Sequence, residues 1–92
     1  STPNPQLSVQ PNPFSNSTNI IFSISQEEQV SIVIYDLLGK EVKTFSGNYK
    51  AGEHQLQWNG ESKNKILLAK GMYHVKLEAR NKAVVVKAVL LK

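Results

Sequence analysis

Apolar and polar residues alternate with a period of two through most of this chain, and that alternation limits the folds it can adopt. Ile20, Phe22 and Ile24 fall on one side of a run over 18–25, while most residues between them are polar. The run over 71–80 repeats the pattern. Because successive side chains of a strand point to opposite faces, such runs are typical of strands with one buried face. No segment has a convincing helical stripe, so the sequence predicts an all-β chain.

Turn residues divide these runs at short intervals. Pro11-Asn12-Pro13 ends the first run, because proline removes a donor from the strand ladder. Asp36-Leu37-Leu38-Gly39 has Asp first and Gly fourth, which is a type I turn signature, and Asn59-Gly60 opens a loop that runs to about residue 70. About seven strands follow, near 7–10, 18–25, 29–36, 40–47, 53–59, 71–80 and 82–91. This spacing predicts a two-layer antiparallel β-sandwich.

Length and composition narrow the function classes. A chain of 92 residues makes one domain with one small core, which leaves little room for a deep active-site cavity. The absence of cysteine removes disulfides, zinc–thiolate sites, iron–sulfur clusters and thiol nucleophiles. No apolar run approaches the ~18–20 residues of a transmembrane helix. We therefore expect no cofactor, no enzymatic activity and no transmembrane segment.

Charge is divided unevenly along the chain. Residues 1–39 hold three acids and no Lys or Arg, whereas residues 40–92 hold four acids and all eleven basic residues. A basic half is compatible with an anionic surface or a nucleic acid as a partner. The more ordinary explanation is that these basic residues lie on solvent-exposed strand faces. Arg80 is the only Arg, and nucleic-acid readers usually carry a cluster, so no nucleic-acid partner is expected.

Several short motifs in order resemble a known family. They are Pro11-Asn12-Pro13-Phe14, the stretch 30–42, the stretch 51–54 with Trp58-Asn59-Gly60, Gly71-Met72-Tyr73 and the stretch 87–92. Together they closely resemble the type A C-terminal sorting domains of type IX secretion substrates, which belong to bacteria of the Bacteroidetes group. The resemblance covers 11–92. Asn59 stands where relatives often carry Asp, and the loop 61–70 is more basic than usual.

The resemblance implies a fold and a role. The expected fold is an immunoglobulin-like sandwich over 7–92, with 1–6 as a linker remnant from an upstream cargo domain. The expected role is a C-terminal signal that takes the cargo through an outer-membrane translocon. The implied partners are that translocon, shuttle and sortase-like proteins, and the cargo in the same chain. The implied location is the periplasm in transit and then the cell surface or the medium.

Candidate chemical sites are weak. The loop 58–64 could be mistaken for a calcium site, but Glu61 is its only acid and Lys63 repels a cation, so no metal is predicted. His54 and His74 adjoin no catalytic signature, so no catalytic residue is predicted. The residues predicted to determine the fold are Pro11, Asn12, Pro13, Phe14, Gly39, Gly52 and Trp58.

The last predicted strand carries the recognition hypothesis. Residues 83–91 are apolar on both faces around one charge, Lys87. Either the strand is well covered and paired with 71–80, or its free edge or outer face is a docking surface, since natural edges are normally blunted by charge or proline. The residues predicted for recognition are Lys87, Val89, Leu90, Leu91 and Lys92, with Gly71 and Tyr73 supporting the shape of the neighbouring strand.

Two other function classes stay open at this point. A carbohydrate-binding module of an extracellular enzyme would need solvent-facing aromatic rings, for which Tyr35 and Tyr49 are the residues to check. An inert spacer of the fibronectin type III kind would have more protein after Lys92.

Overall fold

The computed structural model describes residues 5–91 and forms an all-β sandwich. Seven strands follow one another: β1 (Gln6–Gln10), β2 (Thr18–Ile24), β3 (Glu28–Tyr35), β4 (Glu41–Tyr49), β5 (Gly52–Trp58), β6 (Gly71–Ala79) and β7 (Lys82–Leu90). Each lies within two residues of its predicted bounds, which confirms the alternation argument. β1 begins at Gln6 and Pro5 is buried, so the sandwich reaches into the predicted linker 1–6. Residues 1–4 and Lys92 lie outside the described residues.

The strands form two antiparallel sheets. One sheet has the order β1-β2-β5 and the other the order β4-β3-β6-β7, with β3 and β6 at its centre. Alternate residues of each strand turn toward the space between the sheets, and these form one continuous core. Its largest fully buried side chains are Trp58, Phe14, Phe22, Ile20, Ile32, Ile34 and Leu77. Burial of this apolar surface is the main source of stability, at roughly 25 cal/mol per Å² removed from water.

The antiparallel register sorts the connections between two ends of the sandwich. β3 runs toward the end where β4 and β6 begin, and β7 runs back to it. The segments 11–17, 36–40 and 59–70 and residue Leu91 therefore share one end, and the connections 25–27, 50–51 and 80–81 share the other. We name the first the leucine end, since it carries the exposed side chains of Leu37, Leu38, Ile66, Leu67 and Leu91. The second is the opposite end.

Two turns show how the chain reverses. In the 36–39 turn, Gly39 N donates to Asp36 O at 3.0 Å, and the Asp36 carboxylate accepts from the backbone N of Leu38 and of Lys40. Gly39 has a φ of 84°, which favours glycine. Between β6 and β7 the turn is made by Arg80 and Asn81, with Arg80 at a φ of 56°.

Candidate functional site

β7 forms one edge of the four-stranded sheet. It pairs with β6 along its whole length, with His74 opposite Lys87 and Lys76 opposite Val85. Its even-numbered residues turn toward the core, and its odd-numbered residues turn outward. Val85 on the outward side is 54% exposed. The predicted pairing with 71–80 is therefore present, and at the same time the outer face is open to solvent.

Part of the β7 edge is covered by the segment that precedes β2. Phe14 N donates to Val89 O at 2.9 Å, and Leu91 N donates to Phe14 O at 2.8 Å. The Asn12 side chain extends this cover, since its Nδ2 donates to Lys87 O at 2.7 Å and its Oδ1 accepts from Val89 N at 2.9 Å. One side-chain amide thus takes the place of a peptide group in a neighbouring strand. From Lys87 O to Leu91 N the edge is closed to strand addition.

The first half of the same edge is unpaired. Ala83 and Val85 have the same outward parity as Val89, so their backbone N–H and C=O groups point away from β6. Within residues 5–91 these groups have no hydrogen-bond partner. The edge and the outer face meet at Val85, where an exposed apolar side chain lies beside unpaired backbone groups.

The predicted recognition residues divide between surface and core. Lys87 and Leu91 are exposed, and Val89 is half-buried on the outer face. Leu90 is only 5% exposed, because its side chain fills the space beside Gly60 and the Phe14 ring. In the folded domain Leu90 therefore supports β7 from inside.

The two residues predicted to support β6 lie where that strand begins. Gly71 is exposed at a φ of 146°, a backbone conformation that L side chains rarely adopt. Tyr73 is buried, and its hydroxyl donates to Ala69 O. Burial raises the pKa of the Tyr73 hydroxyl, and the nearby Asp36 carboxylate raises it further. Tyr73 thus ties the 59–70 loop to the sheet.

An aromatic group under the leucine end holds β7 and its cover together. The Phe14 and Trp58 ring centroids are 5.4 Å apart, and the Trp58 and Tyr73 centroids are 5.7 Å apart. Trp58 is 1% exposed and its indole N–H donates to Glu61 O at 2.9 Å. Trp58 is therefore a core residue, and its buried ring is not available to stack on a sugar.

The two tyrosines that a sugar-binding surface would need are both half-buried. The Tyr49 ring packs edge-on against Phe22 at a centroid distance of 5.1 Å and against His54 at 4.9 Å. Tyr35 lies on the outer face of the four-stranded sheet, in register with His74. Only Tyr35 therefore stands on a face that a ligand could reach.

Sequence reasoning missed the exposed aliphatic residues of the leucine end. Leu38 is 95% exposed and Leu67 is 63% exposed. A signal was present, because Leu37-Leu38 lies inside a predicted turn and Ile66-Leu67 inside a predicted loop, where apolar side chains have no strand partner. Large apolar side chains grouped on a surface commonly mark a contact site.

Solved structures share this architecture. PorU from Porphyromonas gingivalis superposes with a TM-score of 0.80 at 16% identity over 95% of this chain, which spans 9% of that chain. PorZ, described as a surface component of the type IX secretion system of the same organism, gives 0.66 at 18% over 94% of this chain and 11% of its own. FlgD from Xanthomonas campestris gives 0.64 at 20%, over 96% of this chain and 62% of its own. At these identities the likenesses show the fold.

The sequence itself gives the assignment. The fold places this chain among small β-sandwich modules with an immunoglobulin-like architecture. The chain belongs to the family of secretion system C-terminal sorting domains, which it matches over residues 8–92. No curated protein matches it.

Family membership indicates the role and the destination of this domain. The domain has the role of a secretion signal in type IX export. Its destination is the cell surface or the extracellular space. Residues 5–91 contain no helix that is long and apolar enough to cross a membrane.

Proposed function

We propose that this domain directs an upstream cargo through the outer-membrane translocon of type IX secretion, and that it performs no catalysis. In this proposal the domain is met in the periplasm by the translocon and its shuttle proteins. A sortase-like peptidase then cuts ahead of β1, which releases the cargo or passes it to the cell surface. The observation that carries the proposal is the family match over nearly the whole chain.

We place recognition on the outer face of the end of β7. Lys87 and Leu91 are exposed there, and Val89 lies between them on the same face. His74 and Lys76 of β6 border this face, opposite Lys87 and Val85. Lys76 pairs with Glu78 at 3.1 Å, which leaves the Lys87 ammonium group beside Val89 and Leu91. The surface therefore suits a partner with an acidic group next to an apolar contact. Because the Pro11–Phe14 segment closes the edge here, recognition is by the face of the strand.

The test is export of a reporter fused ahead of the domain, in a bacterium with the type IX machinery. The unchanged fusion should reach the surface or the medium, and the Lys87→Glu/Leu91→Glu variant should stay in the cell. A matched control, Lys50→Glu/Ala51→Glu, makes the same charge change on exposed residues of the opposite end and should be exported normally. Removal of Leu90 is avoided, because that side chain belongs to the core.

Melting temperatures of the purified domains separate a lost signal from a lost fold. All three domains should melt within a few degrees of one another. Normal export of the folded Lys87→Glu/Leu91→Glu variant would show that the β7 face is not the recognition surface. Retention of the unchanged fusion, beside a native cargo that the same cells export, would contradict the sorting role of this chain. Intact mass of the exported cargo would locate the cut and so test the processing step.

A further inference from the structure

The leucine end concentrates the exposed apolar surface of the molecule. Among residues 5–91 six large apolar side chains are exposed, and five of them lie at this end. The sixth, Val85, lies in the middle of β7. Their grouping at one end is unlike the scattered single apolar residues that ordinary surfaces carry. The five are Leu37 at 65%, Leu38 at 95%, Ile66 at 62%, Leu67 at 63% and Leu91 at 56% exposure.

These side chains project from segments that are tied to one another. The 59–70 loop is joined to β4 by the hydrogen bond from Lys63 N to Val42 O at 2.9 Å. It is closed on itself by Leu68 N donating to Gly60 O at 2.9 Å. The 36–40 turn lies close enough to Tyr73 for the Asp36 carboxylate to act on its hydroxyl. The backbone segments that carry these apolar side chains are thus anchored to the sandwich.

Lysines are interleaved with these leucines along the chain. Lys40, Lys63, Lys65 and Lys70 are all exposed at this end, and within residues 5–91 none of them has a carboxylate within ion-pair distance. The carboxylates at this end are Asp36, Glu41 and Glu61. That of Asp36 is engaged by the backbone of its turn, Glu41 accepts from Thr44, and Glu61 is half-buried. The exposed groups are therefore aliphatic side chains, four ammonium groups that form no ion pair within the described residues, and one carboxylate, that of Glu41.

We propose that the leucine end docks on the surface of an anionic phospholipid bilayer, with its leucines in the acyl boundary and its lysines at the phosphates. Membrane-surface binding combines buried apolar area with attraction of lysines to anionic headgroups. A protein partner is less suited to this end, because the residues that dominate the binding energy of protein interfaces are most often Trp, Tyr and Arg. The exposed apolar residues here are all aliphatic, and Arg80 lies at the opposite end. The inference stands independently of the export role.

The experiment uses the purified domain and lipid vesicles. Vesicles of phosphatidylglycerol and phosphatidylcholine in equal parts should bind the domain in a flotation assay, and phosphatidylcholine alone should bind it far less. Added salt should weaken binding, since it screens the lysines. Leu38→Gln/Ile66→Gln keeps the charge and should weaken binding by at least about tenfold. Lys63→Gln/Lys65→Gln should weaken it by about tenfold and reduce its salt dependence.

A matched variant and two fluorescent labels give the orientation. Lys50→Gln/Ala51→Gln alters the opposite end and should bind as the unchanged domain does. Because the chain has no cysteine, a polarity-sensitive dye can be placed at Asn64→Cys or at Asn81→Cys, which are exposed at the two ends. Vesicles should shift the emission of the first label to the blue and leave the second unchanged.

Three results would overturn the proposal. These are no binding to anionic vesicles, equal shifts of both labels, and full binding by folded Leu38→Gln/Ile66→Gln. If that variant fails in export while the unchanged domain ignores vesicles, the leucine end binds a protein, and the lipid proposal is wrong. Vesicle binding by a domain that is not exported would leave this inference standing and remove the export role.

Discussion

A packed group of three aromatic rings lies at each end of the sandwich, but the two groups are buried to different depths. The group under the leucine end is fully inside, at 2%, 1% and 6% exposure for Phe14, Trp58 and Tyr73. In the group at the opposite end Phe22 is buried, whereas Tyr49 and His54 are half-buried. The His54 ring also makes a polar contact, with its Nε2 2.6 Å from Lys50 O.

The surfaces above these rings differ in the same direction. At the opposite end two pairs of polar side chains meet, with Arg80 Nε 2.9 Å from Glu28 Oε1 and Asn48 Nδ2 donating to Glu27 Oε2 at 2.7 Å. At the leucine end the outermost leucines and lysines have little to bind within the domain. At the leucine end, the residues that stabilise the core are thus different from the residues that form the surface. At the opposite end, the half-buried rings do both. Separate residues allow a surface to change without loss of the fold.

The largest difference between the ends should come from their rings. Trp58→Ala should lower the free energy of unfolding by about 3–5 kcal/mol, because it leaves a large cavity beside Phe14 and Tyr73. Tyr49→Ala should lower it by about 0.5–1.5 kcal/mol, since a half-buried ring loses fewer contacts. Denaturant unfolding measures both, and the unchanged domain should show blue-shifted tryptophan emission. Equal losses in the two variants would contradict the difference in burial.

A smaller difference in unfolding free energy should separate the variants Asn12→Ala and Asn48→Ala. Asn12→Ala removes two hydrogen bonds to the β7 edge and should lower the free energy of unfolding by about 1–2 kcal/mol. Asn48→Ala removes one exposed side-chain bond and should lower it by about 0.5 kcal/mol or less.

Hydrogen exchange gives a local readout of the Asn12→Ala variant. The amide of Val89 should exchange faster in Asn12→Ala, because its acceptor is gone. The amides paired between β6 and β7 should be little changed in the same variant. A Val89 amide that exchanges as slowly as in the unchanged domain would show that Asn12 does not guard this edge.

The smallest effect is a dependence on alkaline pH at the leucine end. The pKa of Tyr73 is raised above 10.0 by burial and then by Asp36. The folded state therefore keeps the hydroxyl proton at a pH where the unfolded chain has lost it. Its contribution to stability is complete below about pH 10 and is lost as pH rises through the folded value. The difference in unfolding free energy between the unchanged domain and Tyr73→Phe should shrink over that range, and a constant difference would contradict the assignment.

The sequence predicted what depends on neighbouring residues along the chain. Alternation and turn residues together located all seven strands, and the Asp and Gly spacing predicted the turn at 36–39. These features are local, because side-chain direction in a strand follows from position alone.

What the sequence did not predict depends on distant contacts. Leu90 was grouped with the recognition residues, but its burial depends on Phe14 and Gly60, which lie far away along the chain. Asn12 was predicted to help determine the fold, but the contacts of its amide with Lys87 and Val89 have no local signature in the sequence. The leucine end emerges only when the antiparallel order brings the turn 36–40 and the loop 59–70 to the same side.

The cover over the β7 edge also has a consequence for the order of folding. Asn12 and its partners are separated by 75 and 77 residues, so this contact closes nearly the longest loop the domain has. Contacts of such separation form late, because the entropy of closing the loop must be overcome first. The hairpin of β6 and β7 is joined by two residues and can form early. Any partly folded form that lacks the cover therefore shows an apolar strand with its whole outer edge unpaired, and a chaperone or a translocon could distinguish it from the finished domain by that edge alone.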